Sequence, residues 1–176
     1  STTITADNIT NKDENSKLIT SSLNINNANV TLNTNVDTLT TTDAKDESLV
    51  EDDSLFLHVD AEKFIIISED IVDNSTINAT NVSLTVNDST SINTSVDILT
   101  AVIQGDLTIV ESDDIELSSI NSTNLTLNAK DVVVDSVNVV QSTTITADNI
   151  INKVENSKLI TSSLNINNAN ATLFTD

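Results

Sequence analysis

The chain has 176 residues and a formal net charge of −20, with one Gly, one His, three Phe and no Pro, Cys, Met, Trp or Tyr. Its 38% hydrophobic share can supply a core, so disorder is not expected, while the charge excludes binding to nucleic acid through phosphate neutralisation and disfavours insertion into anionic membranes. Without cysteine there is no disulfide scaffold or thiolate metal site, and no apolar run reaches the roughly 18 residues of a membrane-spanning helix.

Residues 1–35 are written a second time at 142–176, without a gap, and 30 of the 35 aligned pairs are identical. The domain organisation read from this is one full period over 1–141 followed by the start of the next copy over 142–176, so the chain is expected to be a window on a longer tandem array. The five differences are Thr10 to Ile151, Asp13 to Val154, Val30 to Ala171, Asn33 to Phe174 and Asn35 to Asp176. Three of them exchange polar for apolar. By strand alternation Asn33 faces outward beside inward Leu32, so Phe174 should also face outward, and Phe174, Val154 and Ile151 are the expected contact surface of the second copy.

From Ile25 a shorter pattern begins: an Ile followed by Asn, two variable residues, Asn, an aliphatic residue, Ser or Thr, and Leu. It recurs at Ile77, Ile120 and Ile166, with weaker versions at Ile4, Ile98 and Ile145. With a degenerate copy near Leu49, the starts lie 21 to 28 residues apart, about six to a period. Each copy alternates apolar and polar residues in two short runs, as in Leu23 and Ile25, then Val30 and Leu32. Runs so short, with corners so brief, suit successive walls of a coil better than antiparallel hairpins. The expected fold is therefore all-β, a parallel β-solenoid, in which coils stack about 4.8 Å apart and only stacking creates a core. The alternative is a string of immunoglobulin-like β-sandwiches, against which the lack of Pro and the near lack of Gly, Tyr and Trp argue.

Corners often need positive φ, which Asn and Asp tolerate best after Gly; the Asn at the fifth motif position is the expected corner residue, and Asn amides in register can form ladders. Residues 41–56 lack the motif and are acidic, so they are expected to bulge as a loop or lengthen a coil. Residues 61–67, AEKFIII, read as a buried strand led by Phe64.

The charged constellations are all acidic. Glu111, Asp113, Asp114 and Glu116 are the calcium candidates, since calcium takes oxygen ligands, although neither an EF-hand loop nor a glycine-rich calcium nonapeptide is present. The other reading is a solvated acidic face that discourages edge pairing. No cofactor is expected. His58, in LFLHVD, reads as a strand residue rather than a base, and with no Arg, Trp or Tyr the chain lacks what a polysaccharide-cleaving β-helix would use, so no catalytic residue is assigned. Among the Asn-x-Ser/Thr sequons, Asn29, Asn78, Asn81, Asn121, Asn124 and Asn170 are candidate glycosylation sites.

The stretches SLNINNANVTLNTN and STNLTLNAKDVVVDS resemble the repeat units of secreted adhesins of the filamentous-haemagglutinin type, exported by two-partner secretion, although those repeats are glycine-rich and this chain has only Gly105. The resemblance implies an extracellular, cell-surface stalk or filament whose partners are copies of itself and host or neighbouring-cell surfaces.

Overall fold

The structure is a computed structural model that describes residues 1–13 and 15–174; the last two residues of the expected second copy lie outside it. The described strands belong to a stack in which every pairing is parallel. Among the described residues no helix interrupts it. This is a parallel β-solenoid of about nine turns, not a string of sandwiches.

The coil is shorter than the motif spacing suggests. Through the middle of the chain paired residues lie 16 to 19 positions apart, as in Val30 with Glu47 or Ala101 with Ile120. Only near the two ends does the step lengthen to 21 or 22. The extra residues fall between the strands Asn8–Thr10 and Leu18–Asn26, and between Asn149–Asn152 and Lys158–Asn167. Following partners from Thr3 through Asn24, Thr40, His58, Thr76, Asn93, Val110 and Asn128 reaches Thr146 in eight steps. The period thus holds eight coils rather than six. Thr146 lies two residues past Thr144, the copy of Thr3, and a slip of two keeps inward residues inward because the strand period is two.

The motif misled because its copies occupy different walls. In the coil that starts at Leu107, residues 107–111 form the first wall, 115–117 the second and 119–122 the third, after which 124–128 begins the next coil. Ile25, Ile77 and Ile166 stand on first walls, whereas Ile120 stands on a third wall, between Ala101 and Val137. Motif-to-motif distance therefore spans fractional coils.

Alternation does place the core correctly. Leu23, Ile25, Phe64, Ile66, Leu99 and Leu127 are at most 1% exposed, and the strand Ser54–Ser68 contains the expected AEKFIII segment with Phe64 fully enclosed. Removing this much aliphatic surface from water, at about 25 cal/mol per Å², is the main term holding the stack. Residues 44–51, expected as loop, form the strand Ala44–Glu51 in register with the coils on both sides. Of its three acidic residues Asp46 faces outward while Glu47 and Glu51 turn inward, so alternation set the strand where net charge suggested a bulge.

The corners use Asn in two ways. Positive φ occurs at Asn27, Asp43, Asn74 and Asn168. Asn27 and Asn168 hold the third motif position, not the fifth. The fifth-position Asn residues make ladders instead: Asn29 Nδ2 donates to Asn8 Oδ1 at 3.3 Å, Asn124 Nδ2 to Asp106 Oδ1 at 2.8 Å and Asn170 Nδ2 to Asn149 Oδ1 at 3.4 Å. A longer ladder links Glu69, Asn87 and Gln104 across three coils.

Candidate contact surfaces and acidic corners

The four calcium candidates are divided among different partners. Glu111 ends the strand Leu107–Glu111 with its side chain turned inward and 6% exposed. Its Oε2 accepts the N–H of Val96 at 3.0 Å, and its Oε1 accepts the N–H groups of Ser112 and Asp113 at 2.7 and 3.2 Å. Glu51 closes the strand Ala44–Glu51 in the same manner. Its Oε2 accepts the N–H of Val36 at 3.1 Å and the Thr34 hydroxyl at 2.7 Å, and its Oε1 accepts the N–H of Asp52 at 3.0 Å. At both corners a carboxylate supplies acceptors to N–H groups that have left the ladder, which would otherwise be buried unpaired. The sequence carries a signal for this device, Thr-x-Val followed by Glu 17 residues after the Thr, at 34–51 and at 94–111. It is visible only once the coil length is known.

Asp113 and Asp114 straddle the Lys130 ammonium at 3.5 and 3.3 Å, and Glu116 binds Lys153 at 2.7 Å, with Asp135 at 3.5 Å on the other side. The hydrogen bond that Lys130 donates to Asp114 and the charges of both aspartates hold its ammonium above its ordinary pKa. Among the described residues no group of three His, Cys, Asp or Glu side chains is arranged to hold a metal ion.

The candidate glycosylation sites differ in how their amides are used. Asn29, Asn78, Asn124 and Asn170 each donate Nδ2 to the preceding coil. Asn121 only accepts, from Asn138 Nδ2 at 3.1 Å, and Asn81 is exposed on the outer surface. A glycan on Nδ2 would compete with a ladder bond at the first four and not at these two.

Ile151, Val154 and Phe174 are 48%, 57% and 53% exposed. Phe174 does point outward, its N–H donated to Asn152 Oδ1 at 2.7 Å, as the N–H of its counterpart Asn33 is donated to Asn11 Oδ1 at 2.5 Å. Backbone geometry is thus conserved between the copies while the outward side chain changes from amide to ring.

The larger apolar surfaces, missed from sequence, are the two ends of the stack. Ile4, Ile9 and Leu18 are half-buried in the first coil, whereas their copies Ile145, Ile150 and Leu159 are fully enclosed. Ile166, Ala169 and Leu173 are half-buried in the last coil, whereas Ile25, Ala28 and Leu32 are at most 4% exposed. Identical residues are therefore buried or open according to whether a coil covers them. The strand Thr2–Thr5 pairs on one side only, with Leu23–Asn26, and Asn170–Thr172 only with residues 149–151, so each end also offers unpaired backbone groups.

A groove of about 410 Å³ crosses the first walls of three coils, lined by His58, Asp60, Thr76, Asn78, Asn93 and Ser95 among others. His58 lies in the strand Ser54–Ser68 with an exposed ring whose Nδ1 is 2.7 Å from Thr76 Oγ1, while Asn78 Nδ2 donates to Asp60 Oδ1 at 3.0 Å. These side chains form a hydrogen-bonding surface without a charged acid–base pair or an aromatic platform. Comparison with protein-family models, curated proteins and solved structures finds no match.

Proposed function

We propose that this chain is a segment of a long tandem-repeat β-solenoid that forms an extracellular fibre or stalk at the cell surface, serving adhesion or linkage between cells rather than catalysis. The observation that supports this most strongly is the different fate of identical coils. Leu159 is fully enclosed where a coil covers it and Leu18, its copy, is half-open where none does. A coil of the same kind would cover either end, as the coil that carries Val137 covers Leu159. Copies of itself, in tandem or end to end, are thus the primary partners, and the −20 charge keeps exposed strand edges from pairing at random.

The test is a chain extended by one 141-residue period. Eight added coils at about 4.8 Å each should lengthen the particle by about 38 Å in small-angle scattering. The extended chain should also unfold at higher denaturant than the original. An added period that scatters as a separate bead with its own unfolding transition would sink the reading.

The groove around His58 favours a second reading, an adhesin module that recognises glycans or proteins through hydrogen bonds. Saturable binding on a glycan array, weakened by Asn78→Ala and Asn93→Ala, would favour it over a purely structural shaft.

A further inference from the structure

One inward position breaks the aliphatic rule of the core. Along the second wall the stacked row runs from Ile9 and Val30 through Glu47 to Phe64, Val82 and Leu99. Glu47 is 1% exposed, and neither of its carboxyl oxygens makes a hydrogen bond. The Thr41 hydroxyl, which accepts the N–H of Asp60 at 3.1 Å, is the polar group beside it, and its pull on the carboxyl's pKa is downward but smaller than the upward push of burial. A carboxylate here would be a buried charge with only that hydroxyl to offset it, so the closed coil holds the neutral acid.

No other charge rescues it. The strands that flank it, Asn29–Thr42 and Ser54–Ser68, turn Val30, Leu32, Phe64 and Ile66 toward the interior. Their titratable groups, Asp37, His58, Asp60, Glu62 and Lys63, lie exposed or half-exposed on the outer surface, as do Lys45 and Asp46 of its own strand. The other inward carboxylate of this coil, Glu51, is occupied by Val36, Thr34 and Asp52. This sets Glu47 apart from Glu51 and Glu111, which are buried but fully bonded.

We propose that the coil built on the strand Ala44–Glu51 is a pH-sensitive joint in the solenoid, closed while Glu47 is protonated and opening locally when it ionises. Burial pushes the Glu47 carboxyl up to about 7, from an ordinary 4.5 in the open chain. The closed coil therefore binds a proton that the open coil has released, and opening becomes easier as pH rises between those values, levelling off above about 7. Because coils contact only their neighbours, opening can stay local.

Hydrogen exchange at pH 5.5 and 8.5, corrected for the intrinsic pH dependence of amide exchange, tests this on the intact chain. Protection of amides in Ala44–Glu51 and its partners at 30–34 and 61–67 should fall roughly 30-fold between the two values. The strand Ile115–Asn128, distant from Glu47 in the stack, is the internal control and should hold its protection. Glu47→Gln and Glu47→Leu should both remove the response, the second because it restores the aliphatic row. Equal loss of protection in all coils, no loss near Glu47, or an unchanged response in either variant would overturn the proposal.

Discussion

The first and last coils of this chain and their interior duplicates form a natural experiment. Ile4 and Ile145, or Leu32 and Leu173, are the same residue in nearly the same sequence, yet one of each pair is sealed and the other half-open. The difference shows that a coil's own sequence determines which side chains turn inward, while the neighbouring coil determines how much that turning contributes. Stability in such a stack belongs to interfaces between coils more than to coils.

The largest test of that distinction is to cut the same side chain at both places. Leu159→Ala removes a fully buried group held between Val137 and the last coil, and should cost about 3 kcal/mol in urea denaturation. Leu18→Ala, in the half-open copy, should cost less than about half as much, because its surroundings already admit water. Equal losses would break the comparison and mean that end coils are covered in solution. Next in size is Gly105→Ala, at an interior corner. A Cβ there would sit 2.4 Å from Ser89 Oγ and 2.8 Å from its backbone nitrogen, so the corner must shift. About 2 kcal/mol is expected, read from the same denaturation curves. A neutral result would show that the corners are looser than the walls.

Much of this architecture is legible in the residues. The alternation of Leu23, Ile25, Val30 and Leu32 gives a parallel solenoid with the correct inward set, and AEKFIII gives a buried strand. Coil length is not legible, because a period of two is the same on every wall and says nothing about where a wall ends. The corner signal is subtler, a gap of three between inward residues, as from Leu117 to Ile120, and it appears only after strands are paired. Glu47 was hidden for a related reason. Within TTDAKDESLVEDD it is one acid among several, and only its partners Val30 and Phe64, 17 residues away on each side, reveal that it is enclosed. The acidic cluster at 111–116 was legible as charge, but not as one inward carboxylate beside separate lysine pairs, since the direction of each side chain depends on the corner.

Ladders give a finer version of the same comparison. Interior Asn124 donates to Asp106 and accepts both the N–H and the hydroxyl of Ser142, at 3.1 and 2.6 Å, so it bonds to the coils on both sides. Asn170, in the last coil, reaches only backward, to Asn149 at 3.4 Å and exposed to water. Replacing Asn124 by Ala should cost about 1 to 2 kcal/mol, because the Ser142 N–H at a half-buried corner then loses its acceptor. Replacing Asn170 by Ala should cost only a few tenths of a kcal/mol, since water takes its place. The smallest expected effect runs in the opposite direction. Asn27 and Asn168 hold positive φ of 55° and 60°, a conformation that costs any residue with a Cβ, so Asn→Gly relieves strain in the folded corner while adding freedom to the unfolded chain. These terms nearly cancel, and the net should stay within about 0.5 kcal/mol at both sites. Asn27→Ala, by contrast, keeps the steric cost without the local hydrogen bonding of the amide and should destabilise by about 1 kcal/mol. Because the N–H of Asn27 is held by the next coil's Thr42 carbonyl, which accepts it at 3.1 Å, that loss should be larger there than for Asn168→Ala in the last coil. Thermal melts of the two Ala variants, compared with the two Gly variants, separate backbone strain from cover: if position makes no difference, corner geometry alone sets the stability of these turns.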